Sequence, residues 1–391
     1  MSQRFDVQVG EQHAGVLSTD DELIWRFAPS TTWLARPDRR VLAHAWEGRQ
    51  EVVSHGIPAW FAHLLPEADG ALRELLSKAL HLDQGDDEGF LERLGGDLPG
   101  NVRVGGRAAA LAVQPEGAAE RLRFALAGVQ LKFSVVRDGH LSALPVRGRD
   151  GDWIAKLASR SFPRLPEIEA ATMAWARASG LDVADTELVT GTGIDGVDAT
   201  LTRGGPMLLV RRFDRPTPGQ RRHFEDFGQL LQRPPKDKYL GSFDDIAVLT
   251  WALGGQADLE EWVRRMVFVI ASGNGDAHLK NWAVLYDDAG QRARIAPAYD
   301  QVSTIQYPHL ERHLQLTLGG SRRFQDCTPT SFAGIATATG SSGATIESLV
   351  ATAVEQVWSA WVSGRDGFGY TAKEGRRLAN HLGDVPLFRG R

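Results

Sequence analysis

An α+β fold is what this sequence predicts, with two lobes, a smaller strand-and-helix subdomain ahead of them and an all-helical lobe at the end. Three observations carry that expectation. Short strand-like segments occupy residues 4–27, and they return between 103 and 211 with one helical stretch among them. Beyond Pro216, apolar residues recur mainly at helical spacing. The chain has 391 residues, 42% hydrophobic and 24% charged, which suits two or three cooperating subdomains and excludes disordered, collagenous and coiled-coil classes. No run of eighteen apolar residues occurs, and the opening Met-Ser-Gln-Arg-Phe-Asp is polar where a secretory leader would be apolar. A cytoplasmic protein with no membrane partner is expected. The lone Cys327 excludes an internal disulfide and a multi-thiolate metal cage.

The elements follow in order. Residues 4–9, 14–17 and 23–27 alternate or cluster apolar side chains at strand length, separated by polar, Gly-containing or Asp-containing turns. From 58 to 82, Trp60, Phe61, Leu64, Leu65, Leu72, Leu75, Leu76 and Leu80 recur at three and four, which predicts helices interrupted at Pro66. A short helix at 86–94 and a glycine-rich loop at 95–100 close this part. Strands are then expected at 103–104, 111–113, 123–126, 131–136, 153–157, 188–190 and 207–211, with a helix at 167–179. Helices are expected at 224–231, 243–253, 259–273, 346–362 and 372–382, with a strand-like stretch at 282–286. The joint at 216–219 separates the last two parts, so the divisions are 1–100, 101–218 and 219–391.

Net charge is −5, which gives the whole molecule no electrostatic reason to coat nucleic acid. Basic patches at 36–40 and 220–223 read as solvated faces. Seven lysines stand against thirty-seven arginines. Where arginine is the default cation, a lysine suggests a place for a compact ammonium.

The chemistry concentrates in Asn274-Gly-Asp276-Ala-His278-Leu-Lys280-Asn281, which follows an apolar helix and precedes an apolar strand. A loop between two buried elements must satisfy those amides, the acid, the imidazole and the ammonium somewhere. The Asp-x-x-x-x-Asn spacing from Asp276 to Asn281 is that of a kinase catalytic loop, where Asp accepts the hydroxyl proton and Asn holds Mg2+. Ala296-Pro-Ala-Tyr299-Asp300 then supplies a second acid, and one amide plus one carboxylate beside nucleotide phosphates suffices for Mg2+. A capped helix end with solvated polar residues is the plainer alternative. Upstream, Trp153-Ile-Ala-Lys156-Leu sets a lysine in an apolar strand ahead of a helix bearing Glu169. Such a pair can hold nucleotide phosphates or be an ordinary salt bridge. Gly128-Val-Gln-Leu-Lys132 could cap phosphates or simply turn a hairpin, and it is not a Walker loop.

In order, Gly128-Val-Gln-Leu-Lys132, Ile154-Ala-Lys156-Leu, Glu169, Arg212-Phe213-Asp214-Arg215, Glu225-Asp-Phe227, the Asn274–Asn281 loop and Pro297-Ala-Tyr299-Asp300 resemble the HipA family, bacterial Ser/Thr protein kinases acting as toxins of toxin–antitoxin modules. Leu64-Leu-Pro-Glu67 and the glycine-rich 95–102 are similar to the family's amino-terminal subdomain. The resemblance implies a two-lobed protein-kinase-like fold using ATP and Mg2+. It implies Asp276 as catalytic base, Asn281 and Asp300 as magnesium ligands, and Lys156, supported by Glu169, on the nucleotide phosphates. Ala127, Gly128, Val129, Gln130, Leu131 and Lys132 would form the phosphate loop, and the backbone at Arg211, Arg212 and Phe213 the adenine hinge. His278 and Tyr299 would line the site. The implied partners are a helix-turn-helix, HipB-like antitoxin, DNA only through that antitoxin, and a protein substrate such as an aminoacyl-tRNA synthetase.

One departure bears on control. Family members often carry a serine three residues before the phosphate-loop glycine, and its autophosphorylation silences the kinase. Here Ala125 occupies that position, so control by a partner rather than by that brake is expected. Two other readings compete. A small-molecule kinase of aminoglycoside or choline type shares the Asp…Asn…Asp logic but has no use for the first hundred residues. A non-catalytic antitoxin- or DNA-binding module would have little reason to keep Lys156, Asp276, Asn281 and Asp300 together.

Overall fold

Alternation along the first strand decides which face is covered: in β1 (Gln3–Val9), Phe5, Val7 and Val9 are buried between more accessible neighbours. The computed structural model describes residues 3–105, 130–142, 151–191, 193–195, 197, 202 and 205–391. The strands β2 (Gln12–Thr19), β3 (Ile24–Pro29), β4 (Val52–His55) and β5 (Val102–Val104) join β1 in an antiparallel sheet ordered β4-β3-β2-β1-β5. Trp25, Phe27, Trp46, Trp60 and Phe61 fill the space above it, with the Trp46 and Trp60 rings 5.5 Å apart. Two helices follow, α1 (Ala71–Leu80) and α2 (Asp87–Leu94), the second capped by the Asp86 carboxylate on the Gly89 N–H. Leu75 of α1 is buried in the next core, against residues such as Leu131 and Phe133, and so joins the first subdomain to the small lobe.

The small lobe is a sheet built from β6 (Lys132–Asp138), β7 (His140–Ser142), β8 (Trp153–Lys156), β9 (Thr186–Val189), β10 (Ile194–Asp195) and β11 (Met207–Arg211), ordered β10-β7-β6-β8-β11-β9. Its pairings are antiparallel except β10 with β7. The helix α3 (Leu165–Ala178) starts with Pro166 in its first turn and packs on β9 and β11. The expected strands at 111–113 and 123–126 lie outside the described residues.

The large lobe forms around α5 (Gln256–Ser272), preceded by α4 (Phe243–Gly254). Met266, Val267, Phe268, Val269, Ile270 and Ala271 of α5 are fully buried, and a helical stretch apolar on every side has to be central. The helices α4, α7 (Gly343–Gly364) and α8 (Ala372–Asp384) pack around it, after a shorter α6 (Ala333–Thr339). This lobe is not all-helical, which corrects the expectation. Among the described residues β12 (Phe224–Asp226), β13 (Ala283–Tyr286) and β14 (Ala293–Ile295) make a small antiparallel sheet, and β15 (His313–Leu318) with β16 (Ser321–Arg323) a hairpin. The helix expected at 224–231 is a strand followed by the helical turn Phe227–Leu230. Asp226 explains the change: its carboxylate accepts the Gln229 N–H while the Gln229 side chain accepts the Asp226 N–H, a capping box that requires extended backbone at 226.

Buried polar groups fasten the first subdomain to this lobe. Glu225 accepts from the Trp60 indole at 2.7 Å, the His44 N–H at 3.0 Å and the Tyr286 hydroxyl at 2.6 Å. Burial nevertheless pushes its carboxyl up to about 7. Next to it His63 bridges the Asp226 carboxylate and the Arg233 carbonyl. No helix among the described residues is long and apolar enough to cross a membrane.

Candidate active site

Helix α5 stops where the chemistry begins. Gly273 takes a left-handed φ of +61°, and a Cβ there would meet the Ile305 side chain at 2.6 Å, so both conformation and space call for glycine. The chain then runs through Asn274–Asn281, held down by the buried side chains of Ala277 and Leu279. The Asn274 Oδ1 accepts the Asp276 N–H at 3.1 Å. Opposite, Asp300 adopts φ +53°, a left-handed conformation that Asp tolerates better than most residues and that costs free energy all the same. The two loops are stitched together at both ends. The Tyr299 hydroxyl donates to the Lys280 carbonyl at 2.7 Å, bringing the neighbours of Asp300 and Asn281 into contact. At the other end Thr304 Oγ1 accepts the Gly275 N–H at 2.7 Å and donates to the Gly273 carbonyl at 3.0 Å.

From the small lobe two ammonium groups reach Asp300. Lys132 and Lys156 stand opposite each other in the β6–β8 ladder. Lys156 pairs with both Glu169 and Asp300, and Lys132 Nζ lies 2.9 Å from Asp300. Burial pushes the Lys156 ammonium down to about 8, with Glu169 opposing and Lys132 adding to the shift. The Asp276 side chain reaches solvent but sits at the foot of a cleft dense with protein atoms. Desolvation raises its carboxyl above the usual range, against the pull of Lys132 and Lys238. Burial, then Lys238, holds His278 well below the usual imidazole value, and burial raises the Tyr299 phenol.

The same loops carry buried polar atoms with no partner among the described residues: Asn274 Nδ2, His278 Nδ1, Asn281 Oδ1 and Gln301 Oε1. Orphans of this kind are rare in a folded interior and concentrate where a ligand completes the bonding. The amide oxygen of Asn281 and the Asp300 carboxylate are hard donors, which fits Mg2+ beside phosphate oxygens. A groove of about 370 Å3 opens against Gly275 and Asp276, walled by Phe162, Tyr307 and Glu311.

The remaining expected residues are placed less directly. Ala127, Gly128 and Val129, expected to form a phosphate loop, and Ala125 before them lie outside the described residues. Gln130 donates its amide to the Leu157 carbonyl at 3.1 Å, and the buried Leu131 accepts the Leu157 N–H at 2.9 Å, so both brace the end of β8. Arg211 lies over the Trp153 ring and Arg212 makes a bidentate pair with Asp214, while their N–H groups bond to the carbonyls of Asp185 and Asp152. These two side chains therefore serve the scaffold. Phe213 packs its ring 5.5 Å from Tyr299 and borders the site. The basic patches are partly neutralised by Arg36–Asp38, Arg39–Glu47, Arg221–Asp97 and Arg222–Asp288 pairs. Sequence reasoning gave no role to Glu67, Lys238, Tyr239 or Thr304. The scarcity of lysine was the available signal for Lys238.

Comparison with known proteins places the chain in a family. A family model for the HipA N-terminal domain matches residues 5–105, and one for the HipA-like C-terminal domain matches 124–361. Y4dM of Sinorhizobium fredii, which carries a kinase designation, is 34% identical over 344 residues, covering 85% of this chain and 83% of its own. The serine/threonine-protein kinase toxin HipA of Shewanella oneidensis is 24% identical over 310 residues, covering 68% and 67%. A chain of the solved complex of HipA, HipB and operator DNA from Shewanella oneidensis MR-1 superposes with a TM-score of 0.75 at 20% identity, over 98% of this chain and 96% of that one. With family models spanning both parts and a relative of this identity and coverage, the chain belongs to the HipA family.

Proposed function

We propose that this protein is an ATP- and Mg2+-dependent serine/threonine protein kinase, a HipA-like toxin held in check by a HipB-like antitoxin in the cytoplasm. One observation supports it most: Lys156, Lys132 and Asp300 meet between the lobes, beside a loop that presents Asp276 and the orphaned Asn281 Oδ1. Phosphoryl transfer asks little covalent chemistry of a protein and much positioning and charge stabilisation, and this set supplies both.

In this reading Lys156, fixed by Glu169, and Lys132 bind the phosphates, while Phe213 and Tyr299 border the nucleotide. Because the Arg211 and Arg212 N–H groups are engaged within the chain, adenine would be read by carbonyl oxygens there or by the backbone of Phe213. Asn281 and Asp300 would hold Mg2+, which when bound offsets charge on the transferring phosphates. Asp276 orients the acceptor hydroxyl in the groove and takes its proton. The segments 1–100, 101–218 and 219–391 act as docking subdomain, nucleotide lobe and catalytic lobe.

The toxin–antitoxin setting draws support from the family and from the HipB and operator DNA in the solved relative. A translation component such as an aminoacyl-tRNA synthetase is the proposed substrate class. Incubation with γ-labelled ATP, Mg2+ and bacterial extract, followed by phosphoamino-acid analysis, tests the reading. Label in phosphoserine or phosphothreonine is expected; label confined to small molecules would favour the small-molecule kinase instead.

A further inference from the structure

Glu67 belongs to the first subdomain, yet its carboxylate lies among the groups of the catalytic loop. Its Oε1 and Oε2 are 3.0 and 2.8 Å from Lys238 Nζ, and Oε1 is 3.2 Å from Lys280 Nζ. Lys280 immediately precedes Asn281, and the Lys238 carbonyl accepts the Leu279 N–H at 3.1 Å. The neighbouring Tyr239 ring meets His278 edge-on at 5.3 Å. Glu67 thus grips the catalytic loop directly through Lys280 and indirectly through the segment hydrogen-bonded to it.

The grip is stiff on both sides. Leu64 and Leu65, just before Glu67, are buried in the first core, and Arg73 donates to the Pro66 carbonyl at 3.2 Å. Pro234 and Pro235 restrict the backbone leading to Lys238. The three side chains are only partly buried, so the ion pairs add little to global stability. Their value is placement: two of the chain's few lysines are drawn to one carboxylate beside Asp276.

We propose that Glu67 is a positioning residue of the phosphoryl-transfer site, supplied by the N-terminal subdomain to set the catalytic loop through Lys280 and Lys238. The proposal rests on the kinase reading above, and it makes residues 5–105 part of the working enzyme as well as a docking surface.

The test is transfer of label from γ-labelled Mg2+ATP to the protein of a bacterial extract by the full chain, measured against ATP concentration for wild type, Glu67→Gln and Lys238→Met, with thermal melts beside each. Displacing a catalytic loop by about 1 Å costs up to roughly a hundredfold in rate. Glu67→Gln is therefore expected to melt like wild type and to lose roughly tenfold to a hundredfold in kcat, with KM for ATP within about twofold. Lys238→Met should show the same split, and the double variant should lose less than the product of the two single losses. Should Glu67→Gln fail to fold, Lys238→Met carries the same readout, with Glu67 still paired to Lys280. Unchanged kcat in the folded variants, or a rise in KM alone, overturns the clamp and leaves the kinase reading standing. No turnover by wild type removes the kinase reading itself, and the clamp with it.

Discussion

Lys156 and Asp300 sit on different lobes, and their side chains form a direct ion pair across the cleft. Glu169 takes the other side of the same ammonium. Lys156 is 3% exposed and Glu169 also 3%, so neither charge has water to fall back on.

Removing only one of these charges should therefore cost stability as well as activity. Lys156→Met is expected to lose about 3–5 kcal/mol of unfolding free energy, because it leaves Glu169 buried without its cation. The double change Lys156→Met with Glu169→Gln should recover most of that loss and none of the phosphotransfer. Urea unfolding and transfer of label from γ-labelled Mg2+ATP to extract protein check the two halves. Recovery of activity in the double variant would remove Lys156 from the phosphates.

The two proposed metal ligands make opposite demands on the scaffold. Asp300→Asn should keep the fold, since Asn accepts the left-handed backbone, whereas Asp300→Ala should cost a further 1–2 kcal/mol, roughly the penalty for that conformation. Asn281→Leu removes an orphaned buried oxygen of a kind that typically costs about 1–3 kcal/mol, and its stability should match or exceed that of wild type. All three should lose the Mg2+-dependent part of the melting-temperature rise that ATP gives. A Mg2+-dependent rise preserved in Asn281→Leu would contradict the assignment.

Much of the candidate site was legible because several of its residues lie in short segments with local spacing. The Asp276-to-Asn281 interval and the lysine in an apolar strand need no tertiary knowledge to be noticed. The all-helical last lobe was misread because Phe224-Glu-Asp, Ala293-Arg-Ile and the 313–323 hairpin are short and take their strand character from partners distant in sequence. Glu67 was invisible as a working residue for a related reason. It meets Lys280 across more than two hundred positions, and no local periodicity reports such a contact.

Buried Glu225 gives the interface between the first subdomain and the large lobe a pH dependence. Its carboxyl titrates near 7 in the folded chain against an ordinary value of 4.5, so the folded state holds the proton more tightly. That contribution to stability is complete below 4.5 and is lost as pH rises through 7. His223 and His381, held down to about 4 by burial, act in the opposite direction, and comparison with a variant cancels them. Between pH 5 and 8 the unfolding free energy of Glu225→Gln should gain on wild type by a margin on the order of 3 kcal/mol. A constant difference across that range would place the Glu225 carboxyl at its ordinary value.

Asp276 carries the central claim. Transfer of γ-phosphate from ATP to protein in Mg2+, compared between wild type and a folded Asp276→Asn variant, tests it most directly. The account predicts labelled protein with wild type and a loss of about a hundredfold or more in the variant, the scale of a missing general base. Equal labelling by both, or none by wild type, would contradict it.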